Sequence, residues 1–441
     1  YQIYGSPQQR FLAWTLSPEG VGTHIQRDAY GHVTALFQGG LDPQNPAQYL
    51  GYTRSYSYND RLQLTAIDSP AGTGLVTYGR DLLGNMTWRQ RGGGNRALFA
   101  YDAVNRPVAI DYTDNALDAG YAYDADGNLI SSNNGLAERH YTYDENGRLV
   151  REEISLGDTT YTVAYAFDAL DHITSLTYPS GRTIDFAPDA LGRATRALPY
   201  LTGVSHLPDG GLDRLEYTNG QATQYASTTR HQVERIDIGS FTHLDYDYDA
   251  AGNVTAINDL VDPARNRAMA YDGLHRLTTA TGPWGDASYH YDAFGNFTRK
   301  DDPAAGVRSQ IYQYRGLMLD QITYSNSTAR RIFTHDDSGN IAYSDDAIFD
   351  PISGLPTEVL TTRQQLFDDA DNLTFAQRSA RDEAGNTDRL RTGSFSSEYD
   401  ADHRRVRKIN HSDNNRVTDY VYSRAGLLLG EYDEAGTYYG N

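Results

Sequence analysis

The residues able to do chemistry in this chain are mainly its acids. Adjacent aspartates stand at Asp301-Asp302, Asp336-Asp337, Asp345-Asp346 and Asp368-Asp369. A glycosidase needs two carboxylates at a set separation flanking one bond. Neighbours along a strand point to opposite faces, so adjacent aspartates do not supply that geometry and read as turn acids. The Asp-rich turns also lack the ligand spacing of an EF-hand loop. The 12 His residues are scattered, without an HExxH motif or a close ligand pair. No GxSxG elbow or phosphate-binding glycine loop is present. With no Cys there is no disulfide, thiolate metal site or Cys nucleophile. The expectation is a chain that is not an enzyme and has no cofactor or metal site. A polysaccharide-cleaving activity is the form of catalysis to test first.

The acids instead recur with a period. An aromatic residue followed by Asp, two variable residues, Gly and then Asn or Arg appears at Tyr123-Asp124-Ala125-Asp126-Gly127-Asn128 and at Tyr143-Asp144-Glu145-Asn146-Gly147-Arg148. Further copies are Tyr248-Asp249-Ala250-Ala251-Gly252-Asn253 and Tyr291-Asp292-Ala293-Phe294-Gly295-Asn296. The Asp positions are Asp81, Asp102, Asp124, Asp144, Asp168, Asp189, Asp209, a weak copy near residue 230, Asp249, Asp272 and Asp292, a mean spacing of about 21 residues. Asp28 precedes this series, and Asp336, Asp368, Asp400 and Asp433 follow at wider intervals. Residues 1–57 are the least regular, 58–302 the regular array, and 303–441 longer or degenerate copies. The whole reads as one array.

The spacing within a copy is mechanical. With Asp as position zero, its carboxylate at the first corner of a type I turn accepts hydrogen bonds from the N–H groups just ahead. Position +3 then needs a left-handed backbone, closing a hairpin with a bulge. Glycine fills it at Gly31, Gly84, Gly127, Gly147, Gly192, Gly252, Gly295, Gly339, Gly385 and Gly436. Asn105, Asp171, His275, Asp371 and His403 stand there otherwise, and Asn, Asp and His are the residues that best tolerate positive φ. The Asp209 copy has Leu212 at +3 and is expected to turn differently. Position −1 is aromatic at Tyr101, Tyr123, Tyr143, Phe167, Tyr248, Tyr271, Tyr291, Phe367, Tyr399 and Tyr432, and should face an apolar +5 residue: Leu129, Leu149, Ile173, Val254, Leu277, Phe297 or Leu373. Segments such as Tyr161-Thr162-Val163-Ala164-Tyr165-Ala166-Phe167 alternate with period two, so nearly the whole chain reads as short antiparallel strands, with under about a tenth helix.

The wider composition agrees. Across 441 residues there are 35 Tyr against 13 Phe and 3 Trp, which suits strands whose aromatic face is half wet. Asp and Glu number 58 against 38 Lys and Arg, a formal charge of −20, which disfavours nucleic-acid binding. The short basic cluster Arg404, Arg405, Arg407 and Lys408 reads as a solvated strand face. No apolar run approaches the roughly 20 residues of a membrane helix. The chain opens at Tyr1 on what looks like mid-protein sequence, so a fragment of a longer protein is expected.

These repeats resemble the YD repeats of the Rhs family, whose relatives include Tc toxin BC components, wall-associated bacterial proteins and animal teneurins. The resemblance spans at least 81–302 and recurs to 440. Tyr178-Pro179-Ser180-Gly181-Arg182 followed by Asp189-Ala190-Leu191-Gly192-Arg193 also looks like Rhs core sequence. The resemblance implies an all-β ribbon of hairpins that spirals into a hollow shell, enclosing an effector in the toxins and serving adhesion in teneurins. Rhs cores usually finish on a self-cleaving segment with a DPxGL-like motif. The nearest string here, Asp350-Pro351-Ile352-Ser353-Gly354-Leu355, is one residue too long and lies mid-chain.

Three functions follow as expectations. The first is a structural segment of a shell in a secreted or surface protein, partnered by the rest of a longer chain, by neighbouring subunits or by an enclosed effector. The second is an extracellular adhesion or glycan-binding module, since tyrosine rings can stack on sugars, although regular −1 placement favours packing between strands. The third is an enzyme. About 20 repeats would give on the order of 40 strands, and at ~4.8 Å spacing a ribbon on the order of 190 Å that must coil because strand twist accumulates.

Overall fold

The structure is a computed structural model. It describes residues 2–4, 12–16, 22–41, 49–69, 74–92, 94, 96–113, 117–292, 294–302, 309–315, 318–325, 327–335, 340–349, 356–367, 373–380 and 393–439. Among them every regular element is a β-strand except one three-residue 3₁₀ turn, Pro263–Arg265. The strands form a 17-stranded sheet running from Gln2–Tyr4 to Thr183–Asp185 and a 20-stranded sheet running from Leu201–His206 to Leu428–Tyr432. In both, the ladders join a strand to the next in sequence, antiparallel. Hairpin follows hairpin, so every pairing is local.

Among the described residues the ladder is interrupted over residues 186–200, where the sequence reading had a continuous array. Pro188 and Pro199 fall in that stretch and have no N–H to give a ladder. Isolated bridges such as Asp185 with Leu198 stand in for strand pairing there.

Period-two patterning is visible as burial. Ala137–Tyr143 alternates buried and exposed along its length, and Thr159–Phe167 and Leu149–Leu156 bury alternate residues over part of theirs. The chain divides into two compact units, each discontinuous in sequence. In the first (1–138, 290–300 and 308–420), Ala97, Tyr112, Ala119, Ala401, Val406 and Tyr420 are buried. There Tyr121 Oη donates to the carbonyl of Ala401 at 2.9 Å, and Asn134 Nδ2 to that of Tyr399 at 2.6 Å. The hairpin around Asp400 is thus held against strands far earlier in the chain. Asp419 of this unit is fully buried and accepts from Arg407 Nε at 2.7 Å and Nη2 at 3.0 Å.

The second unit (139–289, 301–307 and 421–441) repeats the arrangement with different residues. Ile154, Leu156, Tyr161, Val163, Leu176, Val421, Leu429 and Tyr432 form its core. Glu152, fully buried, accepts from Tyr165 Oη at 2.7 Å and from the backbone N–H of Arg424 at 3.1 Å. Tyr161 and Tyr432 pack ring to ring, centroids 4.7 Å apart. A buried carboxylate is tolerated because hydrogen bonds replace its water, and here those bonds also tether the last hairpins.

Candidate functional site

The most elaborated feature of the molecule is its row of turns. At Asp124 the backbone N–H donates to the carbonyl of Asn128 at 3.0 Å, and Gly127 N–H donates back to the Asp124 carbonyl at 3.2 Å. The same pair of bonds recurs at Asp28, Asn59, Asp81, Asp102, Asp144, Asp168, Asp189, Asp249, Asp272, Asp292, Asp400 and Asp433. Gly127, Gly147, Gly192, Gly252 and Gly295 lie at φ +95°, +76°, +77°, +95° and +87°. Asn105, Asp171, His275 and His403 share that region at +64°, +66°, +62° and +61°.

The Asp side chain organises each turn with both oxygens. Oδ1 of Asp102 accepts from the N–H groups of Val104 and Arg106, both at 2.9 Å. Oδ2 accepts from the side chain at +4: Arg106 Nε at 2.7 Å, and in other copies Asn128 at 3.0 Å, Arg148 at 2.7 Å, Asn253 at 2.8 Å or Arg276 at 2.7 Å. Asn and Arg recur at +4 because they are long enough and carry the donor that the second carboxylate oxygen requires. These bonds hold the carboxyls below their ordinary range. For Asp189 the Arg193 side chain and then its backbone N–H lower the pKa to about 2. Asp124 is lowered first by the Asn128 side chain, and Asp144 by the Arg148 backbone.

The +4 residue also reaches the next repeat. Arg148 Nη1 donates to the Asp168 carbonyl at 2.9 Å and to Asp171 Oδ1 at 2.8 Å. Arg106 Nη1 donates to the Asp124 carbonyl at 3.3 Å, and Asn85 Nδ2 to Asn105 Oδ1 at 2.9 Å. The guanidinium of Arg106 lies 4.5 Å from the centre of the Tyr123 ring, and that of Arg148 5.0 Å from Phe167. Both cations therefore sit over the −1 aromatic of the following copy.

The −1 tyrosines return the contact. Tyr101 Oη donates to the Met86 carbonyl at 3.0 Å, Tyr123 to Pro107 at 3.0 Å, Tyr248 to Val233 at 2.7 Å and Tyr271 to Val254 at 2.9 Å. In every case the acceptor is the +5 residue of the preceding copy. Within a copy, −1 pairs with +5 across the hairpin: Tyr123 with Leu129, Phe167 with Ile173, Tyr248 with Val254 and Tyr271 with Leu277. Tyr143 is half-buried, and Tyr291 stacks on Phe297, centroids 4.9 Å apart. The hydroxyl's partner explains the excess of Tyr over Phe better than a half-wet face. Sequence reading missed this link, because the interval between the +5 of one copy and the −1 of the next varies, being 15 to 17 residues in these pairs, and the acceptor is a carbonyl that any residue supplies.

Two turns depart from the expected register. Asp209 is not the first corner: Leu207 is, with Pro208 next and Gly210 at φ +91°. Proline presets the second turn position and Gly takes the positive φ, which moves the corner back by two residues. Asp209 instead accepts from Gly211 N–H at 3.0 Å and pairs with His231. The weak copy near 230 has Thr228 at its corner, whose hydroxyl accepts from Arg230 N–H at 3.2 Å, with His231 at φ +61°. Further turns of the same kind start at Tyr178, Tyr217 and Ser423.

Of the adjacent acids, Asp301 ends the strand Phe297–Asp301 and accepts from Ser288 Oγ at 2.9 Å. Asp345 and Asp346 are successive residues of the strand Ile341–Phe349, with backbone partners Thr362 and Thr361. Asp336-Asp337, Asp368-Asp369, the turn positions Gly339, Asp371 and Gly385, and the Asp350–Leu355 string lie outside the described residues. Among the described residues no group of three His, Asp or Glu is placed to hold a metal ion, and no helix is long and apolar enough to cross a membrane.

Comparison with known proteins agrees with this geometry. Residues 112–198 match the Teneurin YD-shell family and residues 248–287 the RHS Repeat family. The crystal structure of TcdB2-TccC3-TEV superposes with a TM-score of 0.60 at 13% identity, over 99% of this chain and 27% of that one. TcdB2-TccC3-Cdc42 gives 0.59 at 14%, over 95% and 25%. This chain therefore spans about a quarter of the solved chains it resembles. No curated protein matches it by sequence. The chain thus carries Teneurin YD-shell and RHS Repeat sequence over residues 112–198 and 248–287, within a fold similar to that of the TcdB2-TccC3 shells.

Proposed function

We propose that this chain is a wall segment of a β-shell that encloses or presents cargo in a secreted or surface protein. The observation that carries the reading is the seam of turns. Successive repeats are bonded by +4 side chains in one direction, as at Arg106 and Arg148, and by −1 tyrosine hydroxyls in the other, as at Tyr123 and Tyr271. Such a unit adds copies without limit and makes a continuous wall, which is what enclosure needs. Twist accumulating in one hand then coils the wall. The reading includes no catalysis: the turn carboxylates are consumed by two backbone N–H groups and one side chain each, which leaves them ill placed to act on a substrate.

Partners on this reading are further β-wall, from a longer chain or a neighbouring subunit, and the passenger inside. Small-angle scattering of the isolated chain tests it. A curved wall with a concave interior gives a pair-distance distribution displaced outward from that of a solid particle of equal mass. A distribution matching a solid particle overturns the proposal. Fusing a protease-sensitive passenger and finding it cleaved as fast as the free passenger would remove the enclosure part alone.

A further inference from the structure

Four tyrosines that stand outside the −1 positions of the repeat come together in one place. Tyr178 is the corner of a turn, Tyr200 lies in the interruption of the ladder, and Tyr438 and Tyr439 follow the last described turn. All four line one open cleft of the second unit, about 290 Å³ in volume, together with Arg182, Ser180 and Glu431. We propose that this cleft binds a short neutral glycan. The proposal goes beyond the scaffold reading and does not depend on it.

The cleft is built on stiff parts. The Tyr178 turn is closed by its N–H donating to the Arg182 carbonyl at 2.8 Å. The opposite wall is the strand Leu428–Tyr432, with Tyr439 N–H donating to the Glu431 carbonyl at 3.0 Å. At the end of that strand Tyr432, only 2% exposed, packs between the tilted rings of Tyr161 at 4.7 Å and Tyr438 at 5.5 Å. Burial pushes the Tyr432 hydroxyl up to about 12, so it stays protonated. Arg182 donates to Tyr200 Oη and lies 5.5 Å from that ring's centre, which fixes an otherwise mobile side chain. Tyr200 itself remains 48% exposed. Side chains held in place before binding lose less entropy on binding.

The lining suits a saccharide. Tyrosine faces carry negative quadrupole density that attracts the C–H edges of a pyranose. Arg182 offers fixed planar donors, and Glu431 offers a carboxylate that has no hydrogen-bond or ion-pair partner among the described residues. One donor group and one acceptor group match vicinal sugar hydroxyls, which both donate and accept. An anionic ligand is disfavoured by Glu431 and by the chain's formal charge of −20. The volume lies at the small end of ligand clefts, roughly 300–1,000 Å³, which limits the ligand to a short glycan.

The test uses the whole chain. It is screened on a glycan array, and the neutral oligosaccharide giving the strongest signal is titrated by calorimetry. Saturable binding is expected, weakened at least tenfold by Tyr200→Ala and by Glu431→Ala, and unchanged by Tyr101→Phe. Tyr200→Phe should retain most of the affinity, since the ring face is kept. Near-ultraviolet circular dichroism checks that each variant is folded. Absence of saturable binding by any neutral glycan at millimolar concentration overturns the proposal, as does binding that both alanine variants leave intact. Displacement of the sugar by a tyrosine- or proline-rich peptide of higher affinity would reassign the cleft to peptide. None of these outcomes bears on the scattering test of the scaffold.

Discussion

Replacing Gly147 separates backbone strain from packing. Gly147 sits at φ +76°, and a Cβ built there meets nothing within 4 Å. Any cost is therefore conformational. Positive φ costs an ordinary L-residue about 1–2 kcal/mol, more for a β-branched one, while losing glycine's freedom in the unfolded chain returns about 0.4–1 kcal/mol. Gly147→Val should then weaken its hairpin by about 1–2 kcal/mol, and Gly147→Asn by about 0.5 kcal/mol or less, since Asn tolerates this region. Asn105 occupies the same position at φ +64°. An array this long is not expected to unfold in two states, so the readout is local: amide hydrogen exchange at Gly147, whose N–H donates to the Asp144 carbonyl at 2.9 Å. Exchange should accelerate about tenfold in the Val variant and little in the Asn variant. Equal effects of Val and Asn would refute the positive-φ account. Gly192 provides the contrast, because a Cβ there would lie 2.6 Å from the His172 ring, so even Gly192→Asn should be damaging.

Tyr248→Phe removes the hydroxyl that donates to Val233 at 2.7 Å and should loosen the junction of the two copies by about 0.5–1 kcal/mol, read as faster amide exchange around Val233; no change would mean the latch is incidental. Glu152→Ala leaves the Tyr165 hydroxyl and the Arg424 N–H without their buried acceptor. It should cost about 2–4 kcal/mol and free the hairpin beyond Val421 to proteolysis, an effect absent if that hairpin is held by apolar contacts alone. Acid should disrupt the turns together. The carboxyls of Asp102, Asp124, Asp144 and Asp189 titrate lower when folded than when unfolded, so their contribution is complete above about pH 4 and is lost as pH falls toward the folded values, about 2 for Asp189. Thermal unfolding midpoints that stay flat from pH 5 to pH 2 would contradict this.

The local grammar of this fold is written in the chain. Asp at the corner, Gly or Asn three residues on, and an aromatic before each corner specify turn, bulge and register within one hairpin, because each requirement is met by residues only a few positions apart. Asp209 shows the limit of that reading: Pro208 and Gly210 outrank the Asp and move the corner to Leu207. The meaning of the +4 residue and of the tyrosine hydroxyl was only half legible. Their partners lie about one repeat away, at carbonyls that any residue type can supply. Least legible was how distant hairpins meet. That Ala401 lies under Tyr121, or that Arg424 reaches Glu152, depends on the path of hundreds of intervening residues. No periodic signal encodes such a path, because it follows from small twists summed over many strands. The tyrosine cleft belongs to this class, since Tyr178 and Tyr438 come to line one cleft only where the tertiary structure brings their turns together.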